Sequence, residues 1–257
     1  PKDGSGWYFS CRAEKDGRQY APWNILPEAD KPALNAWLAE QPLVLENKDL
    51  RIVHAAWLPE SLATLEAAVG ENLIAQYRRY DDELVHALQT ASWYGDYLRE
   101  QARHAEALEN ADMPPPPMPA TAQYELARSR LHPIRALTSG AEVIAPAPFY
   151  AGGRWRYTAR SAWWNHYHER VPVLVGHYWR HWYPRDADPH RENLMPPQNN
   201  AWHGAAHNVF CIDYSVGARW RDRKAGIAPA RSEFRLAALR WPERVLVFDD
   251  GEVAATV

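Results

Sequence analysis

Two short apolar runs in the chain end in the same way. Residues 171–175 are rich in β-branched side chains and stop at Gly176-His177, and residues 50–53 stop at His54, ahead of Ala55 and Ala56. Runs of this length and composition predict strands, the first of them buried on both faces. Gly176 permits a sharp turn at the strand's carboxyl end, which leaves His177 at the rim of the sheet. In open α/β sheets that rim is where ligands bind. If the two strands are neighbours, their terminal imidazoles converge.

The rest of the pattern surrounds these strands with helices and loops. Residues 1–30 read as loop and short strand, punctuated by Gly4, Gly6, Gly17, Pro22 and Pro27. Residues 31–39 have helical spacing, with Asp30 as N-cap, Pro32 in the first turn, and Leu34, Trp37 and Leu38 on one face. Residues 43–46 and 50–54 form adjacent strands around an Asn47-Lys48-Asp49 turn. From 59 to 108 the apolar period becomes helical, with breaks near 70–72 and near Gly95. Five prolines in residues 113–119 make that segment a polyproline-like connector, either a stiff surface loop or a partner motif.

Residues 124–138 regain helical spacing, broken at Pro133. From Ser139 a loop leads to a Gly152-Gly153 turn, then a strand at 154–157 and a short helix at 161–168. Residues 183–206 are a polar surface loop beside the site. Strands follow at 209–214, 234–241 and 245–249, the last two as a hairpin. Between the first two of these strands, residues 217–232 hold Arg219, Arg221, Arg223, Lys224 and Arg231, which suit either solvated loop charge or attraction of phosphate.

Composition narrows the picture. A chain of 257 residues buries a substantial core, and a net charge of −3 gives no strong field toward duplex nucleic acid or anionic membrane. No apolar run approaches the roughly 20 residues needed to span a bilayer. Cys11 and Cys211 do not suggest a disulfide framework, which points to a reducing, cytoplasmic setting. Thirteen tryptophans suit packing first and a sugar-stacking surface second. His177/His181 and His203/His207 share the i, i+4 spacing of helical metal ligands, but Pro184 and Gly204 oppose a helix at each, and no HExxH glutamate is present. No GxSxG elbow supports a serine hydrolase.

The stretches "VHAAW" (53–57) and "GHYW" (176–179) resemble the last two metal-binding motifs of the calcineurin-like metallophosphoesterases. The nearest branch is the bacterial one related to phosphoprotein phosphatases and symmetrical dinucleoside tetraphosphatases. "GRWRYTARSAWW", "NVFCIDYSVG" and "RLAALRW" extend the resemblance in order over most of the chain outside 60–135. The family's earlier motifs, GDxHG, GDxxDRG and GNHE, do not occur here. Residues 1–9 resemble the segment that follows GNHE. The chain is therefore expected to be the C-terminal two-thirds of such an enzyme, with an unpaired sheet edge where the first strands belong.

The resemblance implies an α/β fold: one domain over 1–257, part of a two-sheet β-sandwich flanked by helices. A helical insertion at 59–138 either roofs the site or merely covers the sheet. It implies that His54 and His177 bind one of two divalent metal ions (Mn, Fe, Zn or Co), whose asparagine, bridging aspartate and general-acid histidine lie in the absent motifs. Tyr214 is implied as a residue touching the site. Arg156 and Arg160, just upstream of the GH strand, suit bidentate phosphate binding or surface ion pairing. The implied activity is phosphoester hydrolysis by a metal-bridged hydroxide, acting on a phosphomonoester, a dinucleoside polyphosphate or a phosphoprotein. The competing expectation is a truncated or degenerate module that binds a partner without catalysis.

Overall fold

The computed structural model describes residues 4–67, 71–182, 194–195 and 198–257. It is a mixed α/β protein whose contacts divide it into two compact units. The first comprises Pro1–Pro42, Trp179–Ala201 and Ile212–Val257, and the second comprises Leu43–Tyr178 and Trp202–Cys211.

The first unit begins with α1 (Ser10–Tyr20), where the sequence predicts loop and short strand. Its residues are too polar to show an apolar stripe, and Gly17 interrupts them. A buried carboxylate organises the helix instead: Asp16 Oδ2 accepts from the Gly6 amide at 2.8 Å. A Cβ at Gly6 would come within 3.0 Å of Ala13 and Asp16, so the loop closes on the helix only because that residue is glycine. The expected second helix is present as α2 (Lys31–Ala39), with Asp30 at its N-cap but no side-chain capping bond from it.

In the second unit β1 (Val44–Glu46) and β2 (Arg51–Val53) pair antiparallel, Val44 opposite Val53. The amides of Asp49 and Leu50 both donate to Asn47 Oδ1, which explains the tight turn. Helices α3 (Pro59–Glu66), α4 (Leu73–Thr90), α5 (Tyr94–Arg103) and α6 (Ala105–Glu109) follow. Asn72 caps α4 by accepting from Ile74 N at 2.8 Å, so the first expected break is a genuine helix start. Part of that break, Gly70 included, lies outside the described residues. The second break falls at 91–93, and Gly95 sits inside the first turn of α5.

The proline-rich connector packs against the protein: Met118 is buried, and the Pro116 carbonyl accepts from Tyr157 OH at 3.0 Å. Helices α7 (Pro119–Arg130) and α8 (Pro133–Ser139) flank the break that Pro133 predicts.

Where a loop was expected after Ser139, the chain forms β3 (Glu142–Ala151), antiparallel to β4 (Arg154–Arg160) across the Gly152-Gly153 turn. Pro146 and Pro148 obscure this strand in the sequence. The pairing tolerates them through a register shift between Ile144 and Phe149, on a strand with only one partner. A 3₁₀ turn at Trp163–His166 takes the place of the short helix expected at 161–168.

The apolar GH run becomes β5 (Val173–Val175), parallel to β2, and β6 (Val209–Cys211) is parallel to β5. The resulting sheet has the order β1-β2-β5-β6, and all residues of β5 and β6 are buried. Most of the polar stretch expected at 183–206 lies outside the described residues.

The first unit closes with α9 (Arg219–Lys224) and an antiparallel meander of β7 (Ala237–Arg240), β8 (Val245–Phe248) and β9 (Val253–Ala255). The β7–β8 hairpin matches expectation, and β9 adds a third strand. Within the basic stretch 217–232, Arg219 is committed to Asp249, with Nη2 donating to Oδ1 at 2.8 Å, and Arg223 donates to the Tyr20 carbonyl at 3.1 Å.

One contact in the second unit ties its helices to the sheet. Gly140 ends α8 at φ 79°, and a Cβ there would lie 2.7 Å from the Tyr178 hydroxyl. Gly140→Ala is therefore expected to destabilise the protein by about 2–4 kcal/mol in urea unfolding, through the positive φ and the overlap together. The Tyr178 hydroxyl is buried, with the Trp163 indole beside it. Tyr178→Phe should cost no more than about 1 kcal/mol alone and should restore part of the loss in the double variant. Equal losses with and without the hydroxyl would show that this contact is not the constraint.

Candidate metal-binding site

The parallel register of β2 and β5 decides where the two strand-terminal histidines fall. Arg51 is opposite Val173 and Ile52 is opposite Leu174. One further bond continues the ladder, the Gly176 amide donating to the His54 carbonyl at 2.9 Å. His54 and His177 therefore leave adjacent strands at the same rim. Their rings are 5.5 Å apart between centroids, with planes 62° apart.

Each backbone is held for its own reason. Beyond His54, the amides of Ala55 and Ala56 both donate to the Leu137 carbonyl, at 2.9 and 3.2 Å. Trp163 Nε1 donates to the Ala55 carbonyl at 3.2 Å. His177 has φ 65°, a left-handed conformation uncommon for a residue with a side chain. Such outliers cluster where function over-determines the backbone. His54 is exposed and His177 is half-buried, so both rings are reachable from solvent.

An imidazole nitrogen binds a first-row ion at about 2.0–2.1 Å, so two ligating rings have centroids roughly 4.5–6.4 Å apart over the usual ligand angles. The observed 5.5 Å lies inside that range. Among the described residues, no group of three or more His, Cys, Asp or Glu side chains is placed to hold a metal. Two imidazoles would supply at most a half-shell.

The other expected site residues are distributed unevenly. Arg160, the last residue of β4, has its guanidinium 6.0 Å from the ring of Tyr178, whose own ring is 5.7 Å from that of His177. Burial raises the Tyr178 phenol well above its ordinary pKa, and the nearby Arg160 charge opposes that rise only partly. Tyr178 thus stays a neutral ring between the arginine and the histidines. Arg156 is four residues back on the same strand, about 13 Å along it. It is exposed and leans on its own hairpin turn, with Nε 3.5 Å from the Ala151 carbonyl.

Tyr214 belongs to the other unit. There it is buried, its hydroxyl donates to the Asn199 carbonyl at 2.7 Å, and its ring packs on Trp182 and Phe248.

The competing histidine pairs take other roles. His181 Nδ1 lies 2.9 Å from Glu233 Oε2. His203 and His207 flank a turn with Gly204 at φ 89° and His207 at φ 49°, which is not a helix. His203 is buried edge-on against Trp164.

Tyr178 is the residue that sequence reasoning passed over. Its signal was its place directly after His177, inside the quoted GHYW stretch.

No protein-family model, no curated protein and no solved structure matches this chain.

If the half-shell binds metal, Co²⁺ titrated into the protein should give a visible absorption band at one site. His54→Ala and His177→Ala should each weaken binding by tenfold or more, since even residues that only support metal ligands cost 10- to 100-fold. Arg156→Ala should leave binding unchanged. An unaltered titration in both histidine variants would place the cobalt elsewhere.

Proposed function

We propose that this chain is the imidazole-bearing part of a metal-dependent phosphoester hydrolase, in which His54 and His177 hold one of two divalent cations. The observation that supports the reading is the meeting of the two rings at one rim, 5.5 Å apart, on strands whose register brings their ends together. A bound ion of this kind supplies positive charge to the phosphoryl oxygens and makes water a competent nucleophile at neutral pH. Mn, Fe, Zn and Co all suit imidazole donors.

The chain's own residues supply position and charge. His54 and His177 act as neutral donors at fixed backbone sites. Arg160, across the Tyr178 ring, offers a guanidinium whose planar fork matches two phosphoryl oxygens. Tyr178 walls the site on one side and, as a neutral buried phenol, adds no competing negative charge.

The four-stranded sheet is, on this reading, one face of a two-sheet sandwich flanked by helices, with the helices of 59–138 as the insertion. The remaining ligands and the general acid are to come from sequence motifs that this chain does not contain. The substrate is a phosphorylated small molecule or a phosphoprotein.

The test compares two polypeptides with p-nitrophenyl phosphate and Mn²⁺. This chain alone should turn over negligibly, because a catalytic site needs about three protein ligands and an open position. A polypeptide carrying the GDxHG, GDxxDRG and GNHE motifs upstream should be active and should lose most turnover on His54→Ala or His177→Ala. Activity of the longer polypeptide that survives both substitutions would refute the assignment. A longer polypeptide that binds metal but is inert would favour the non-catalytic module.

A further inference from the structure

Helix α8 is capped by a side chain that can accept a hydrogen bond there only while it is uncharged. Pro133 brings no amide to the first turn, and the Arg135 amide donates to His132 Nδ1 at 3.3 Å. The residues that usually fill this position, Ser, Thr, Asp and Asn, accept through an oxygen. A neutral imidazole has one acceptor nitrogen, and protonation turns both of its nitrogens into donors. A proton on Nδ1 therefore sets two N–H groups against each other at the start of the helix. Water does not readily replace the cap, because Pro133, Ile134, Ala136 and Leu137 are all buried.

The surroundings hold the ring neutral. His132 is fully buried against the Tyr77 and Tyr80 rings of α4, at 4.6 and 6.0 Å. With Nδ1 accepting, its proton sits on Nε2, which makes no hydrogen bond of good geometry although the Tyr77 carbonyl lies beside it. The cation on its own helix is Arg135, pinned by the Tyr77 hydroxyl at 2.9 Å and by Asp81 of α4 at 2.6 Å. On α3, Glu60 and Glu66 are exposed, and the Thr64 carbonyl accepts from the Tyr80 hydroxyl at 3.2 Å. On α7, Glu125 accepts from the Tyr157 amide at 2.8 Å, Arg130 donates to the Glu142 carbonyl, and Arg128 lies 5.9 Å from the Tyr124 ring. Burial first, and then the Arg135 charge, lower the His132 pKa below its ordinary value, which the Tyr77 carbonyl and Asp81 oppose only in part. At the other end of this seven-residue helix, the Leu137 carbonyl accepts from the Ala55 and Ala56 amides and fixes the loop after His54.

We propose that His132 is a proton-sensitive cap: its protonation opens α8 and releases the loop that follows His54, so this rim of the sheet is ordered at neutral pH and loosens in acid. Linkage sets the direction. The unfolded chain takes up the proton near pH 6.5, and the folded chain takes it up only at lower pH. The cap's contribution is therefore complete above about pH 6.5 and is lost as the pH falls below it, by up to about tenfold per pH unit in the unfolding equilibrium. The inference does not depend on metal binding at His54 and His177.

Urea unfolding between pH 8 and pH 5 compares the intact chain with His132→Asn, whose amide oxygen caps without titrating. His86→Gln, on the exposed side of α4, is the control. Below about pH 6.5 the intact chain and His86→Gln should lose stability more steeply than His132→Asn, by up to about tenfold per pH unit in the unfolding constant. Hydrogen exchange should show protection of the Ala55 and Ala56 amides, corrected for intrinsic rates, falling over the same range in the intact chain and staying nearly level in His132→Asn. By NMR, the His132 ring of the intact chain should carry its proton on Nε2 at pH 7 and should titrate only below about pH 6.5. Should His132→Asn fail to fold, this ring titration and the exchange of Ala55 and Ala56 in the intact chain carry the test. Parallel stability profiles for the intact chain and His132→Asn, protection of Ala55 and Ala56 that ignores pH, or a ring that titrates at its ordinary pKa or above would each overturn the proposal.

Discussion

The parallel pairing of β2 with β5 is the constraint on which the candidate site depends. Side chains alternate along a strand, so a slip of one residue would send either imidazole to the opposite side of the sheet. The register is pinned in two ways. Val173, Val175, Val209, Phe210 and Cys211 are almost wholly buried, so moving β5 by one position would force both of its faces to repack. The Gly176 amide then spends its only donor on the His54 carbonyl. At that point the glycine ends the strand and joins it to the neighbouring rim.

From that bond outward the surrounding loops are tied down by further contacts. The loop after His54 is held by the α8 carbonyl of Leu137 and by the Trp163 indole, while α8 ends on the glycine that makes room for Tyr178. His177 is held in a left-handed backbone conformation between that tyrosine and the rim. A backbone so placed costs of order 1–3 kcal/mol and persists only when its surroundings enforce it. The backbone on either side of the histidines is fixed by these bonds.

How far the sequence foretells this follows from where each element draws its stability. The strands that carry the histidines are legible because β-branched apolar runs have few other solutions. The helices of 59–138 are legible from their period, and Pro133 from its chemistry. Helix α1 is not, because its order comes from Asp16 meeting the Gly6 amide, a contact between residues ten apart that no apolar pattern records. Strand β3 is hidden by two prolines that only a strand with a single neighbour tolerates. Among the candidate site residues, His54, His177 and Arg160 follow from strand ends. Arg156 shares a strand with Arg160, yet four positions of extended chain carry it to the far turn. Tyr214 satisfies its hydroxyl within its own unit, a commitment visible only once Asn199 is in place.

The most direct measurement of the central claim is anomalous diffraction from crystals of this chain equilibrated with Mn²⁺ or Zn²⁺ at neutral pH. The account predicts a single strong peak at the carboxyl rim of β2 and β5, about 2.0–2.3 Å from one ring nitrogen each of His54 and His177. Ordered metal bound elsewhere, with the two imidazoles bare under the same conditions, would contradict it.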